Sequence, residues 1–303
     1  MTVAKYGLTA PGPCSNFTNV NNRRVLYLQN PTASQAIANL TQFDDGATSN
    51  YHGLILATQW RPVSSLNVNA NYTLSHCIGD NSTGTGTNNV ATNYVHITNR
   101  ALDRGNCAWD RRNLFNLTLV ARTPKFSNRA LRVGASDWSL STIYRYTSGQ
   151  ALTIVTGIDQ ALTGFSPTLE RPNQVLADTA ATDRGQSCAG FNGTCVSWLN
   201  KNAFAQPAPG TLGNMGAYNV HGPTFFQFDV ALVREFPVRE GQRLQFRAEA
   251  FNLFNNTRFN ANVAVGAANA APAFVNLSSP NTFGRILNAF DPRILQLAMK
   301  FTF

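Results

Sequence analysis

The sequence predicts an all-β fold in which antiparallel strands form part of a transmembrane β-barrel with long extracellular loops. Three observations predict it. Segments of alternating apolar and polar residues recur along the 303-residue chain, and a period of two is the pattern of a strand with one apolar and one polar face. The connections between these segments alternate between short and long. Only 13 % of the residues are charged, whereas 43 % are hydrophobic, which is unusual for a soluble protein of this length.

The charge of the chain is positive but dispersed. The formal net charge is +9, and arginine supplies most of it because lysine occurs at only four positions (Lys5, Lys125, Lys201 and Lys300). The arginines stand mostly singly in strands and loops, which argues against a nucleic-acid-binding face. No apolar run is long enough for a membrane helix. Residues 1–20 lack the apolar region of a signal peptide, so we expect any export signal to be absent from this chain.

About eight segments carry the strand pattern. In chain order they are 34–43, which is weakly marked, then 51–61, 66–76, 113–122, 138–147, 224–236, 241–254 and 293–303. The clearest is LNVNANYTLSH (66–76), in which Leu66, Val68 and Ala70 fall on one face and asparagines on the other. Lengths of about ten to fourteen residues suit tilted strands that cross a bilayer.

Alternation alone also fits a soluble β-sandwich, so the connections decide between the two folds. PVSS (62–65) and PVRE (237–240) are short, whereas 77–112, 148–223 and 255–292 are long and polar. Loops of that length are rare in compact domains. Short periplasmic turns and long extracellular loops are typical of outer-membrane barrels, and the order of the segments puts every long loop on one side. Aromatic residues of the interfacial kind lie in or near strand ends, at Trp60, Tyr72, Trp138, Tyr144 and Tyr146.

Five cysteines lie outside the predicted strands. Cys77 and Cys107 bracket one long loop, and Cys188 and Cys195 enclose AGFNGT, which can turn tightly. An oxidising exterior favours a disulfide at each place, with unpaired thiols as the alternative. Cys14 is left over. His76 beside Cys77 lacks the paired spacing of a zinc site, so we expect neither a metal nor another cofactor.

Five charged residues are predicted to face the inside of the barrel. They are Arg145, Asp229, Arg243, Arg247 and Glu249. Two interpretations stay open: the arginines form ion pairs with the two acids within the wall, or they line a surface for a plug or an anionic solute. The sequence contains no G-x-S-x-G elbow, no H-E-x-x-H and no P-loop, so we expect no enzyme activity.

Several segments together resemble a known family. In chain order they are SNYHGLILATQW (49–60), LNVNANYTLSH (66–76), DRGNCAWDRRN (103–113), DWSLSTIYRYTSGQALTIVTG (137–157), RPNQ (171–174), WLNKNAFAQPAPGTLGNMG (198–216), HGPTFFQFDVALVREFPV (221–238), RLQFRAEAFNLFNNTRFN (243–260) and NTFGRILNAFDPRILQLAMKFTF (281–303). They resemble the C-terminal part of TonB-dependent outer-membrane receptors, and most closely the Oar-like group.

The resemblance implies a barrel of roughly twenty-two strands that is filled by an N-terminal plug. In that family the plug contacts TonB in the periplasm, and the complete receptor imports a scarce solute such as a siderophore, cobalamin, a glycan or a peptide. We expect residues 1–48 to be an N-terminal loop and partial strand, and 49–303 to be the C-terminal part of the barrel. Because this chain has no plug, we expect it to come from a longer or split gene.

The resemblance also implies a role for the last strand, since Met299, Phe301 and Phe303 match the aromatic signal that the barrel-assembly machinery reads. The expected surroundings are outer-membrane lipid, a small solute or peptide ligand, and no nucleic acid. Two alternatives remain open: a secreted β-rich adhesion or binding module, and a small stand-alone outer-membrane barrel.

Overall fold

The computed structural model describes residues 22, 24–37, 45–80, 94–96, 98–161, 170–188, 195–260 and 275–303. These residues form two parts. One is a wall of long antiparallel strands, as the alternating segments predicted. The other is a head, in which the long connections between the strands pack together.

Seven long strands make the wall. They are β1 (Ser49–Val63), β2 (Leu66–Gly79), β4 (Asn113–Arg122), β5 (Trp138–Thr147), β11 (Phe225–Arg239), β12 (Gln242–Phe251) and β14 (Ile294–Thr302). Each pairs antiparallel with the next in the order β1-β2-β4-β5-β11-β12-β14, and the two-residue β3 (Gly105–Asn106) joins the head end of β2. The wall is therefore an up-and-down sheet in which consecutive long strands are neighbours.

The register between the strands puts the apolar residues of all seven on one face. Leu119 of β4, for example, lies opposite Val68 of β2 and Thr142 of β5. We call this face the apolar belt; it comprises Leu54, Leu56, Trp60, Leu66, Val68, Tyr72, Phe115, Leu117, Leu119, Leu140, Tyr144, Tyr146, Phe226, Phe228, Val230, Leu232, Leu244, Phe246, Leu295, Leu297, Met299 and Phe301. No described part of the chain covers the belt at β14, where Leu297 is 72 % exposed and Met299 74 % exposed. A continuous exposed apolar surface of this extent marks an interaction site, and here it fits lipid.

The opposite side of the wall is the polar face. It comprises Gln59, Asn67, Asn69, Asn71, Asn116, Thr118, Ser139, Ser141, Arg145, Gln227, Asp229, Glu235, Arg243, Gln245, Arg247, Glu249, Gln296 and Lys300. The apolar exceptions on this side include Ile55, Leu114, Val120, Ile143 and Val233, with Phe225, Phe251 and Ile294 at its head end. The asparagine ladder is hydrogen-bonded across strands, since Asn116 Nδ2 donates to Asn71 Oδ1 at 3.0 Å.

Aromatic side chains concentrate toward both ends of the belt. Toward the head, Phe115, Tyr144 and Phe228 form a row across three strands, with ring centroids 5.9 and 6.3 Å apart. The opposite end carries Trp60 and Trp138. Aromatic girdles at both interfaces are typical of membrane-spanning barrels.

The short turns are tighter than the sequence predicted. Strand pairing continues through Val63 and Pro237, so that Ser64–Ser65 alone connects β1 to β2 and Glu240–Gly241 alone connects β11 to β12. Gly241 has φ +76°, a left-handed conformation that glycine adopts without a Cβ clash and that two-residue hairpin turns need. This turn end of the wall lies opposite the head.

The strand predicted over 34–43 is wrong at its first residues. Two short helices, α1 (Val25–Gln29) and α2 (Pro31–Ser34), precede a turn that reaches residue 37, and 38–43 lie outside the described residues. Asn30 accepts a hydrogen bond from Ala33 N at 3.0 Å, and Pro31 occupies the first helical turn. A capping asparagine followed by proline favours a helix start over a strand.

The head consists of residues 98–112, 148–161, 170–188, 195–224, 252–260 and 275–293. Its elements are short: β6 (Ala151–Leu152), β7 (Asn173–Gln174), β8 (Val196–Ser197), β9 (Phe204–Ala205), β10 (Val220–His221), β13 (Arg285–Ile286), and two 3₁₀ turns at Arg100–Asp103 and Lys201–Ala203. The strands pair as β6 with β10, β7 with β9 and β8 with β13.

The head has a hydrophobic core of its own. Its buried members are Leu152, Ile154, Leu199, Ala203, Phe204, Met215, Val220, Val275, Phe283 and Ile286. Phe204 meets Phe283 edge to face with ring centroids 5.6 Å apart. Since these residues come from two separate connections, β5–β11 and β12–β14, the two connections fold as one unit rather than as independent extensions.

The sheet is open within the described residues, where β1 pairs with β2 alone and β14 with β12 alone. The described part of the chain therefore forms an open wall rather than a closed barrel, and the predicted total of strands stays a prediction. None of the helices in the described ranges has the length and apolar character that crossing a membrane requires.

A matched pair of arginine substitutions on β4 distinguishes the two faces. Leu119→Arg places a charge in the belt, where we expect a loss of about 2–4 kcal/mol near mid-bilayer. Thr118→Arg, one residue away on the polar face, is expected to cost much less because its side chain reaches water. The measurement is denaturant unfolding of the protein folded into lipid vesicles. Equal losses from the two variants would contradict the assignment of the belt to lipid.

Candidate ligand site at the junction of the wall and the head

All five charged residues that were predicted to face the inside of the barrel lie on the polar face. Arg145 of β5 is opposite Gln227 of β11, and Asp229 lies two residues further along β11. The other three, all on β12, are Arg243, Arg247 and Glu249. The register therefore gathers on one surface charges that are separated by about a hundred residues of sequence.

The arginines of the polar face differ in their partners. Arg247 Nη1 lies 3.4 Å from Glu249 Oε1, and Arg243 Nη1 lies 3.5 Å from Glu235 Oε2. Arg145 is exposed and has no hydrogen-bond or ion-pair partner among the described residues. Exposed pairs of this kind stabilise a fold little, so the arginines keep most of their capacity to meet another anion.

Asp229 forms no ion pair with an arginine in the described part of the chain. Its carboxylate accepts hydrogen bonds from Gln227 Nε2 at 2.6 Å and from Asn252 N at 2.8 Å. Asn252 has φ 54°, which turns the chain at the end of β12 and directs this backbone N–H toward the wall. The interpretation that Asp229 pairs with a wall arginine is therefore wrong, because both of its carboxylate oxygens accept hydrogen bonds from amide N–H groups instead.

These amides belong to a network that joins the wall to the head. Arg258 Nη1 donates to Gln227 Oε1 at 2.6 Å, and Arg258 Nη2 donates to Asp291 O at 2.6 Å. One guanidinium therefore bridges β11 and the segment that leads into β14. The network fixes the position of the head over the polar face.

A cavity of about 160 Å³ opens beside this network at the head end of the polar face. Its lining residues are Arg111, Thr147, Ser148, Gln150, Gly222, Pro223, Phe225, Phe259, Asn260 and Phe290. One side of the lining is polar and the other aromatic. Concave sites with an apolar body and a few converging polar groups are the usual form of small-molecule sites.

Arg111 supplies the charge of the cavity. It lies two residues before the start of β4, and its Nη2 donates to Gln150 Oε1 at 3.0 Å. The other terminal nitrogen, Nη1, is buried and has no hydrogen-bond partner among the described residues. Burial lowers the pKa of Arg111, and the neighbouring Asp110 opposes that shift. Since a guanidinium stays protonated in proteins, a buried positive N–H is left without an acceptor.

The aromatic side of the cavity is built by Phe225 and Phe290. Their rings meet edge to face with centroids 5.7 Å apart, and the Arg258 guanidinium carbon lies 5.7 and 5.9 Å from the two centroids. Arg258 Nε is also buried without a hydrogen-bond partner in the described ranges. The rings hold this second cation near the cavity through their π faces.

Two disulfides brace the head where the sequence placed candidate pairs. Cys77 and Cys107 are joined with a Cα–Cα distance of 5.3 Å, and Cys188 and Cys195 with 5.4 Å. The first ties the end of β2 to the segment before Arg111, and Asp110 Oδ1 accepts a hydrogen bond from Cys77 N at 2.7 Å. It thereby holds the Arg111 backbone against the wall. Cys14 lies outside the described residues.

His76, beside the Cys77–Cys107 disulfide, contacts β3 through its side chain. One of its ring nitrogens lies 2.9 Å from Asn106 Oδ1, so β3 takes up part of its hydrogen-bonding capacity.

The residues predicted as an assembly signal lie at the turn end. Met299 and Phe301 belong to the apolar belt on β14, and Phe303 follows the strand with 93 % exposure. The Phe301 and Phe303 rings stack with centroids 6.3 Å apart. Their recognition by assembly machinery stays a prediction.

Glu170 is a buried acid of the head that the sequence did not single out. Its Oε2 accepts hydrogen bonds from the N–H groups of Gln160 at 2.8 Å and Ala161 at 3.0 Å. Burial raises the pKa of Glu170 to about 7, an effect that Asp159 strengthens and the two N–H groups oppose. The next residue, Arg171, forms a buried ion pair with Asp103 at 2.7 Å. The sequence offers only the adjacent Glu-Arg pair as a signal, and such pairs are common.

The sequence did not single out Arg111 either. It lies within a segment that carried the family resemblance, yet its neighbours Asp110 and Arg112 are also charged. Asp110 is buried as well and Arg112 is exposed, and nothing in the sequence shows that a nitrogen of Arg111 is the one buried without an acceptor.

The raised pKa of Glu170 predicts a pH-dependent head. The folded head holds the proton more tightly than the unfolded chain, so its stability is greatest below about pH 4.5 and falls as the pH rises toward about 7. Glu170→Gln, which keeps an acceptor but cannot ionise, is expected to flatten this dependence. The measurement is hydrogen exchange of residues 151–161 across that range. Glu240→Gln in the exposed β11–β12 turn is the control, and an unchanged slope in Glu170→Gln would contradict the prediction.

Comparison with known protein families gives a match. The model of the family described as "Outer membrane beta barrel domain" matches residues 3–296. No curated protein and no solved structure matches the chain. The match spans both the wall and the head, and it agrees with the antiparallel strands, the exposed apolar belt and the opposed polar face. The chain therefore belongs to the outer membrane beta barrel domain family and is a protein of the outer membrane.

Proposed function

We propose that the chain forms the C-terminal part of the barrel of an Oar-like TonB-dependent receptor, and that its head and cavity bind an anionic solute for import. The observation that carries the binding step is Arg111, whose Nη1 is buried at the cavity with no acceptor among the described residues. A carboxylate or phosphate group of a solute would supply that acceptor. The charge-assisted hydrogen bond formed would be stronger than one to a neutral group.

The rest of the cavity suits a solute with an apolar part beside its anionic group. Thr147, Ser148 and Asn260 offer neutral hydrogen-bonding groups, whereas Phe225 and Phe290 offer ring surfaces. Peptides with a free carboxylate and carboxylate-bearing iron chelates combine these features. The polar face below the cavity, with Arg145 exposed, gives such an anion further positive charge along its path.

The open sheet supports a large barrel. A strand edge inside hydrocarbon leaves backbone N–H and C=O groups without partners, and each such group costs several kcal/mol. The outer edges of β1 and β14 therefore need further strands. A receptor barrel of roughly twenty-two strands provides them, and its plug would occupy the side that the polar face lines. Closure of the described strands on one another would give the alternative, a small stand-alone barrel.

A secreted binding module fits less well. Its sheet would expose the whole apolar belt to water, whereas the family to which the chain belongs lies in the outer membrane. In the proposed receptor the chain does no covalent chemistry. TonB acts through the plug, and the barrel-assembly machinery inserts the strands.

Substitution of Arg111 tests the binding site. Arg111→Gln removes the charge, and the loss of one charged hydrogen bond should weaken an anionic solute by about 10- to 150-fold. The measurement is equilibrium dialysis of the purified full-length protein with radiolabelled peptides and carboxylate chelates of Fe(III), beside their neutral amides. Arg104→Gln is the matched control, since Arg104 is an exposed head arginine outside the cavity. Equal affinity of the two variants for every anion would overturn the site.

TonB dependence is tested separately by uptake of the bound solute into cells with and without TonB. We expect uptake to stop without TonB while surface binding persists. Undiminished uptake in cells that lack TonB would refute active import and leave the binding site standing.

Topology is tested by cysteine labelling of intact cells with a membrane-impermeant reagent. Two variants are made in a protein that carries Cys14→Ser. One has a new cysteine at Lys201 in the head and the other at Ser64 in the β1–β2 turn, and both positions are exposed. The proposed orientation predicts labelling at residue 201 and none at residue 64 until the outer membrane is permeabilised. Labelling at residue 64 alone would reverse the orientation.

A further inference from the structure

The connection between β4 and β5 contains a helix that is fastened to the belt side of the wall. This helix, α3 (Arg129–Ala135), begins at Asn128, whose side chain accepts hydrogen bonds from Ala130 N and Leu131 N. At its other end the last carbonyls are taken up by side chains of the wall. The connection lies at the turn end, opposite the head.

Two side chains of the belt side hold α3. Arg234 donates through Nη2 to Val133 O and through Nη1 to Gly134 O, and Trp138 Nε1 donates to Gly134 O at 2.9 Å. Arg234 and Trp138 lie opposite each other in the β11–β5 register, on the same face as Leu232 and Leu140. The helix is therefore docked on the lipid side of the wall and not on the polar face.

Arg234 is a charge placed at the border of an apolar surface. Its guanidinium carbon lies 5.1 Å from the Trp138 ring centroid and 4.5 Å from that of Phe236. A cation that stacks on aromatic rings and caps helix carbonyls suits the headgroup level of a membrane. There its apolar stem lies in hydrocarbon while the guanidinium lies among the headgroups. Arg234 thereby sets the depth at which α3 lies.

The surface that α3 presents is both apolar and basic. Leu131 is 49 % exposed and Val133 is 69 % exposed. The connection also carries three basic residues, Lys125, Arg129 and Arg132, and one acidic residue, Asp137. Apolar side chains beside several cations, at the rim of a lipid-facing belt, complement a membrane surface with negatively charged headgroups.

We propose that α3 is an interfacial helix that binds anionic phospholipid headgroups at the turn-end surface of the membrane. Arg129 and Arg132, three residues apart and hence neighbours on the helix surface, contact the phosphates. Val133 enters the boundary between headgroups and acyl chains, and Arg234 with Trp138 keeps the helix at that level. The inference rests on the outer-membrane location of the chain and is independent of solute import.

The depth of α3 is measured with an environment-sensitive fluorophore on Val133→Cys in the Cys14→Ser background, with the full-length protein reconstituted into vesicles. Ser64→Cys is the control, because it lies in a turn at the same end of the wall but is not held on the belt side. We expect lipids that carry a nitroxide near the headgroup to quench residue 133 and aqueous iodide to quench residue 64. Equal access of iodide to both positions would overturn the interfacial placement.

The charge preference is measured with the same probe in vesicles of phosphatidylcholine and of equimolar phosphatidylcholine and phosphatidylglycerol. Each arginine near an anionic surface should change the docked-to-undocked ratio about fivefold. Arg129→Gln/Arg132→Gln should therefore abolish the difference between the two vesicle types, whereas the head variant Lys201→Gln should preserve it. The protein that keeps Arg129 and Arg132 is the critical case. If lipid quenching of its probe is identical in both vesicle types, binding of anionic headgroups is overturned and only insertion of the apolar side chains remains.

Discussion

The need to hydrogen-bond every backbone N–H and C=O inside hydrocarbon is the constraint on which the rest of this structure depends. Antiparallel pairing between chain neighbours meets it for the five inner strands of the wall, since each of them has a partner on both sides. The same pairing fixes the register, and a slip of one residue would move every leucine of a strand to the polar face. The belt, the polar face and the position of the head thus all follow from the same set of backbone hydrogen bonds between the strands.

A wall of this kind has no core of its own, because its apolar side chains face lipid and its polar side chains face the barrel interior. Packing has to come from elsewhere. In this protein it comes from the head, where Ile154 and Val275 are almost completely buried. Arg258 and the Cys77–Cys107 disulfide then fasten the head to the ends of the strands. The cavity lies at that joint, where a rigid wall and a packed head can hold Arg111 with its Nη1 unpaired among the described residues.

The sequence predicted the wall well because a period of two is a local signal. The segments 113–122 and 138–147 match β4 and β5 in both bounds. The weak segment at 34–43 failed at 34–37 because the cap and proline at Asn30–Pro31 favour a helix, and local capping outweighed a faint alternation. The head was beyond prediction, since two-residue strands carry no period and its core draws residues from distant loops. The burial of Arg111 and Glu170 depends on that core, so no local pattern could reveal it.

The junctions between the wall and the parts that pack on it explain why the chain is rich in arginine. Of the 24 basic residues only four are lysines. Arginines occupy the junctions that have to be both charged and partly dry: Arg258 joins wall and head over aromatic rings, and Arg234 joins wall and α3 in the same way. A guanidinium can stack on a ring while its several donors reach separate carbonyls, and it loses less hydration than an ammonium group. Lysine would offer one compact, strongly hydrated charge at each junction. The preference for arginine is therefore what we expect of a protein whose folded parts meet along the edge of a membrane.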